Sequence, residues 1–209
     1  GSIRVGGDLG LLHSVFPLLV QCYWCWMLYF FTALALRENV LRANGSHIRS
    51  WWINHHYYSM GMSLVVLTMD IESPACAKFM VRFLAFTAVQ GAVMLVQNRY
   101  QRFRLYTRVA MGKANPMDVA GGEMSGSAGQ LKLLYPLLFG LQVMQIYSGA
   151  SVLVTVAAEW HERGTVNYRE WQAPACGALF CLMGIGNFRA TVQTYLNKRK
   201  FAAVKKKEN

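Results

Sequence analysis

The sequence predicts an all-α, polytopic membrane protein built as a bundle of about five membrane helices. Hydrophobic residues make up 54% of the 209-residue chain and charged residues only 15%, well below the roughly 25% of soluble domains. The charges are also clustered, which leaves five mostly apolar runs long enough to cross a bilayer as helices. Helices are expected because backbone polar groups in lipid must be satisfied within their own segment.

The five runs predict a single transmembrane domain over residues 1–209. The predicted membrane helices are at 15–36, 51–69, 79–96, 131–158 and 173–196, and residues 198–209 form a basic tail. The fourth run is the longest and contains Pro136, so a tilt or a kink is expected there.

Basic residues predict how the bundle is oriented. The segments 37–50 and 98–132 and the tail together carry fifteen Lys and Arg residues, and the opposite side carries five. Cytoplasmic loops are enriched in Lys and Arg, so the N-terminus is predicted outside the cytosol and the C-terminus in it. The net charge of +11 is then explained by topology and lipid headgroups, with no need for nucleic acid.

Two further classes of chemistry are not favoured. Of the five cysteines only Cys76 is predicted outside the bilayer, so no disulfide framework is indicated, and Cys22 and Cys25 have redox spacing without a βαβ context. Adjacent side chains on a helix diverge by about 100°, so His55 and His56 do not predict a metal site. Asn44-Gly45-Ser46 is interpreted as a tight turn.

The most informative segment opens the second predicted helix. Trp52, His55, His56 and Ser59 have i, i+3, i+4 and i+7 spacing and therefore share one stripe. Ionisable groups at membrane depth usually face a bundle interior or a water-filled cavity. We therefore predict that this stripe lines a pocket.

Polar residues on other helices extend the predicted pocket. Gln97, Tyr100 and Gln101 lie on the third helix and Asn187 on the fifth. Cations are expected around the mouth, namely Arg49, Arg99, Arg102 and Lys198. Such a site suits a ligand with an anionic head and a slender or apolar tail. The alternative is that the amides only bond neighbouring helices and the cations only set topology.

These residues resemble the transmembrane protein 120 family, also called TACAN. The resemblance covers residues 28–200. It is carried by residues 36–41 (LRENVL), 44–48 (NGSHI), 51–57 (WWINHHY) and 186–188 (GNF), among shorter matches between them.

The resemblance implies a multi-pass protein of the endoplasmic reticulum and inner nuclear membrane. It implies a homodimer, and six membrane helices in a barrel-like bundle that follow a cytosolic coiled coil. The coiled coil and the first membrane helix are expected to be absent from this chain. Exposed aromatic residues of the first helix are candidate dimer contacts, namely Tyr23, Trp24, Trp26, Tyr29 and Phe30.

The resemblance also implies that coenzyme A occupies a cavity open to the cytosol. By position, Trp52 would stack on the adenine, and His55 and His56 would reach the pantetheine or the phosphates. Ser59, on the same stripe, is a further candidate for binding the cofactor. Gln97, Tyr100 and Gln101 would line the wall, while Asn187 and Lys198 would approach the phosphates. The expected partners are coenzyme A or an acyl-CoA and membrane lipids.

The family shares its architecture with the very-long-chain fatty-acid elongases, which carry a His-x-x-His-His motif. Here the row reads Trp52-Ile53-Asn54-His55-His56, so the first histidine is lost while the other two can still act as a general base. An acyl-CoA-dependent transferase or hydrolase activity therefore stays open, beside a role in lipid metabolism. The alternatives are a mechanosensitive ion channel, although no ring of acids predicts a pore, and a nuclear-envelope scaffold.

Overall fold

A computed structural model describes residues 4–46, 48–69, 74–112, 128–165 and 171–208, and these residues form five α-helices. The helices are α1 (Arg4–Ala43), α2 (Ser50–Leu67), α3 (Pro74–Ala110), α4 (Ala128–Arg163) and α5 (Gln172–Glu208). The described ranges contain no strand. The predicted all-α polytopic bundle is confirmed.

Several helices are longer than the apolar runs that predicted them. The α3 helix continues to Ala110, so Arg99, Arg102 and Arg108 lie on a helix and not in the loop expected from residue 98. The α5 helix continues to Glu208 and includes almost all of the predicted tail. Neither extension contains Gly or Pro, the residues that most strongly end a helix.

The helices pack side by side in the order α1, α2, α5, α4, α3. Trp24 of α1 contacts Phe83 of α3 with ring centroids 4.5 Å apart, which connects the two ends of this row. Phe180 of α5 is surrounded by Phe79, Phe83 and Phe86 of α3, at centroid distances of 6.0, 5.5 and 5.0 Å. These aromatic side chains form the centre of the core.

One predicted dimer contact is wrong. Trp24 is only 1% exposed, because its position on α1 faces α3 and not the outside of the bundle. Tyr23 beside it is half-buried, whereas Trp26, Tyr29 and Phe30 are exposed as expected.

The α4 and α5 helices approach closely at glycines. A Cβ on Gly149 would lie 2.6 Å from the carbonyl oxygen of Gly177 and 2.8 Å from Sγ of Cys181. A Cβ on Gly184 would lie 2.7 Å from Cγ1 of Ile146. Small residues at such contacts allow membrane helices to pack backbone against backbone.

The tight turn predicted at Asn44-Gly45-Ser46 is confirmed. The Ser46 amide donates to Leu41 O at 3.0 Å and the Gly45 amide donates to Arg42 O at 3.1 Å. This is a Schellman ending of α1, and Gly45 has the positive φ of 88° that it requires. The turn sends α2 back alongside α1.

Four of the described helices are long and apolar enough to cross a membrane. The candidate spans are Pro17–Ala43, Ala75–Ala110, Leu134–Arg163 and Gln172–Asn197. The α2 helix is not among them, although a span was predicted at 51–69, because its first half carries Asn54, His55 and His56.

Tertiary contacts nevertheless put α2 at the same depth as α5. At one end the Gln172 side chain donates to Thr68 O at 3.2 Å, and at the other Arg49 Nη1 donates to Thr194 Oγ1 at 2.9 Å. These contacts bracket nearly the whole candidate span of α5. Its 18 residues make α2 about 27 Å long, close to the thickness of a hydrocarbon core.

Candidate functional site

The polar stripe of α2 lies on the packed side of the helix. His55 and His56 are 8% and 4% exposed, and Ser59 is also buried. Trp52 is 39% exposed and stacks on the His55 ring at 5.6 Å with an interplanar angle of 14°. One turn of helix therefore presents an accessible indole directly above two buried imidazoles.

Serines continue the stripe toward the other end of α2. Ser59 Oγ donates to His55 O, and Ser63 Oγ donates to Ser59 O, each at 2.9 Å. These are local bonds to the carbonyl one turn earlier. Ser59 thus has its hydroxyl satisfied within α2, and Ser63 is a buried member of the stripe that the sequence analysis missed.

A carboxylate from α1 faces the histidines. Glu38 is buried, and its Oε1 lies 3.2 Å from Nε2 of His56. The two atoms are within ion-pair distance but are not aligned as a hydrogen bond. Sequence analysis missed this role because the predicted first helix stopped at Leu36, which assigned Glu38 to a loop.

Both imidazoles keep buried polar atoms without a hydrogen-bond partner. Within the described residues, this holds for Nδ1 of His55 and for both Nδ1 and Nε2 of His56. Buried polar atoms in folded proteins are nearly always paired, and an orphaned one costs about 1–3 kcal/mol. These three atoms therefore have unused capacity to bind a polar group.

Trp51, adjacent to Trp52, points toward α5. Its Nε1 donates to Oδ1 of Asn187 at 3.1 Å. Its ring lies directly against Gly186, where any side chain would overlap the indole. Asn187, predicted to approach a ligand, therefore also holds α2 against α5.

Arg49, predicted at the pocket mouth, links the start of α2 to α5. Its Nη1 donates to Ala190 O at 3.2 Å and to Thr194 Oγ1 at 2.9 Å. A cavity of about 330 Å³ opens beside it. The cavity is lined by Arg49, Ser50, Trp51, Ala190, Gln193 and Asn197. This lining comes from the first turn of α2 and from α5, and it does not include the histidines.

The predicted residues of α3 lie on a helix that packs mainly against α4 and, to a lesser extent, α5. Gln97, Tyr100 and Gln101 are half-buried, and Oε1 of Gln97 is buried without a partner in the part of the chain that is described. Lys198 lies on α5, but its side chain is outside the described part. The structure thus brings the predicted residues of α2 together. The predicted residues of α3 lie on a different helix, which packs mainly against α4.

Gln142 of α4 bonds a neighbouring helix, which is the alternative role given above for amides in membrane helices. Its Nε2 donates to Thr191 Oγ1 of α5 at 2.7 Å. This bond joins α4 to α5 and is a helix-packing contact of the kind common in membrane bundles.

The fold and the buried stripe together define a class: an integral membrane protein made of a helical bundle with polar side chains packed at membrane depth. The chain belongs to the TMEM120A/B family, whose model matches residues 9–202.

Curated relatives agree with this assignment. Transmembrane protein 120 homolog from Dictyostelium discoideum is 38% identical over 204 residues, which cover 95% of this chain and 54% of that protein. Transmembrane protein 120B from Homo sapiens is 34% identical over 181 residues, covering 86% of this chain and 49% of that protein. The chain spans about half the length of the curated relatives it matches.

Proposed function

We propose that this protein binds coenzyme A, or an acyl-CoA, at an intramembrane site around Trp52, His55 and His56, and serves lipid metabolism. The observation that carries the proposal is the pair of buried imidazoles with unpartnered Nδ1 atoms beneath the accessible Trp52 indole. This combination supports a ligand with both a flat ring and hydrogen-bonding groups.

Each part of coenzyme A has a chemically suitable counterpart. The Trp52 indole suits the adenine, since stacking of a base on an aromatic side chain contributes roughly 1–3 kcal/mol. The imidazoles suit the amides, hydroxyl and thiol of the pantetheine arm. Arg49 and the start of α2, which has no side-chain cap, suit phosphates, because a helix N-terminus carries free amides and positive potential.

The other candidate residues complete the proposed site. Gln97, with its unpartnered Oε1, would line the opposite wall with Tyr100 and Gln101. Asn187 and Lys198 would approach the phosphates from α5. The basic extensions of α3 and α5 would face the cytosol, where coenzyme A is available to the cavity.

We further propose that the protein resides in the endoplasmic reticulum or inner nuclear membrane and forms a homodimer. The exposed aromatic side chains of α1 supply the contact surface in this proposal, with Trp26, Tyr29 and Phe30 on its outer side.

The first test is mass spectrometry of the small molecules that purified, detergent-solubilised protein releases on denaturation. Stoichiometric coenzyme A or acyl-CoA is expected, and an acyl group would identify the substrate. Protein that releases neither and fails to bind added coenzyme A would exclude this function.

Trp52→Ala tests the location of the site. Loss of the stacked indole should raise the dissociation constant for coenzyme A by roughly 5- to 150-fold, measured by isothermal titration calorimetry. Trp171→Ala is the matched control, because Trp171 is 50% exposed at the opposite end of α5. Equal affinity of the two variants would mean that the site is elsewhere.

A further inference from the structure

We propose that Glu38 is a positioning residue that holds His56 in one tautomer and leaves its Nδ1 as a hydrogen-bond acceptor for the ligand. The inference rests on the proposed function for the identity of the ligand. The relation between Glu38 and His56 rests on geometry alone.

Side chains from α1 lie beside His56. Glu38 Oε1 lies 3.2 Å from Nε2, and the Phe31 ring lies 6.1 Å from the imidazole on the same face of α1. Ala35, one turn between Phe31 and Glu38 and 3% exposed, shares this buried face. His56 therefore has an aromatic neighbour and a carboxylate neighbour from the same helix.

The carboxylate determines which ring nitrogen carries the proton. An ionised carboxylate only accepts hydrogen bonds, so a neutral imidazole beside it is most stable with its proton on Nε2. A small rotation of either side chain would align the pair, and such contacts often tighten when a ligand binds. Nδ1 then carries a lone pair and, once Nε2 pairs with Glu38, it is the ring nitrogen left without a partner among the described residues.

The tautomer sets the chemical class of the ligand group that meets His56. An acceptor nitrogen requires a donor, such as an amide N–H, a hydroxyl or a thiol. The pantetheine arm of coenzyme A carries all three. The lone pair would repel the carbonyl oxygens of the arm. The pair of Glu38 and His56 would therefore orient the arm with its donor groups toward Nδ1.

The primary test is nitrogen-15 NMR of histidine-labelled protein in lipid nanodiscs at about pH 8, where an ordinary imidazole is neutral. His56 is assigned as the signal that His56→Gln removes. The expected spectrum has Nε2 protonated and Nδ1 unprotonated. A majority of the Nδ1-protonated form in the unmodified protein would overturn the proposal without any further variant.

Variants of Glu38 then separate positioning from packing. Glu38→Leu fills the same space without an acceptor and should give a mixture of tautomers, whereas Glu38→Gln keeps an acceptor oxygen and should retain the Nε2-protonated form. The control is Glu159→Gln, which removes the carboxylate paired with Lys78 at the opposite end of the bundle. A folded Leu variant with an unchanged tautomer would reject the positioning role.

Binding measurements distinguish this inference from the proposed function. Glu38→Leu should raise the dissociation constant for coenzyme A by roughly 2- to 10-fold, the worth of one hydrogen bond, while Glu159→Gln leaves it unchanged. If the unmodified protein binds no coenzyme A but Glu38→Leu still mixes the tautomers, the proposed function fails and the positioning role stands. Unchanged affinity in Glu38→Leu would reject the role of the dyad in binding.

Discussion

At the scale of single residues, the adjacent tryptophans of α2 have different surroundings. Consecutive helical side chains point about 100° apart. Trp51 consequently packs on α5 and donates to Asn187, while Trp52 lies over His55 with its indole accessible. The first contact stabilises the fold, and the second side chain is free to bind.

Gly186→Ala tests the role of Trp51. The added methyl would overlap the indole ring, so the ring must move and the bond to Asn187 is lost. We expect a loss of about 1–3 kcal/mol in the free energy of unfolding, measured as a lower melting temperature in detergent.

Gly140→Ala is the control for this change, because nothing lies within 4 Å of its Cβ position. Alanine there should leave stability equal or slightly higher, since alanine has the better helix propensity. Similar melting temperatures for the Gly140 and Gly186 variants would contradict the packing of Trp51.

At the scale of helices, the amino-acid composition of α2 does not identify it as a membrane span. Its first half is too polar to be recognised as a membrane span, yet its contacts follow α5 from Thr68 to Arg49. The polar face is tolerated because α1 and α5 cover it, so His55 and His56 do not face lipid. A helix with buried polar groups is therefore identified as a membrane span from the helices that pack against it, and not from its own hydropathy.

The contact between α4 and α5 predicts which of two glycine substitutions destabilises the protein more. Gly149→Ala should destabilise the protein more than Gly177→Ala. The new Cβ of the first would lie 2.6 Å from a backbone oxygen, whereas that of the second would lie 3.1 Å from one and 3.2 Å from the flexible Leu153 side chain. Thermal unfolding of both variants in the same detergent measures the order. The reverse order would mean that the helices do not approach at Gly149.

At the scale of the whole molecule, the five helices place the basic extensions at one end. Lys78 near the start of α3 pairs with Glu159 near the end of α4, so α3 and α5 run in the same direction, and α5 continues past Thr194, which contacts Arg49, to Glu208. The ion pair between Lys78 and Glu159, at 3.0 Å, lies at the other end. Basic residues at one end and balanced charges at the other are the distribution expected for the orientation proposed from the positive-inside rule.

Epitope accessibility tests this orientation. A tag at the C-terminus should bind antibody after digitonin, which permeabilises only the plasma membrane, while a tag at the N-terminus should require full solubilisation. Five crossings predict this asymmetry, because an odd number of spans separates the termini. Equal exposure of both tags in digitonin would mean an even number of crossings, which is the result expected if α2 does not cross and only the four candidate spans do.

The sequence by itself determined the helical class, the stripe of Trp52, His55, His56 and Ser59, and the family. These follow from local properties, since apolar runs predict membrane helices and i, i+3, i+4 spacing predicts a shared face. The ends of the helices were less predictable, because hydropathy ends at Val96 and Leu196 while the helices continue to Ala110 and Glu208.

Only the tertiary structure decided which residues meet across helices. Glu38 and His56 are 18 positions apart, and Trp51 and Asn187 are 136 apart, so neither pairing has a signal in local spacing. Burial of Trp24 was likewise decided by the helix that packs against it. Periodicity defines the faces of each helix, but the partner of each face depends on how the whole bundle packs.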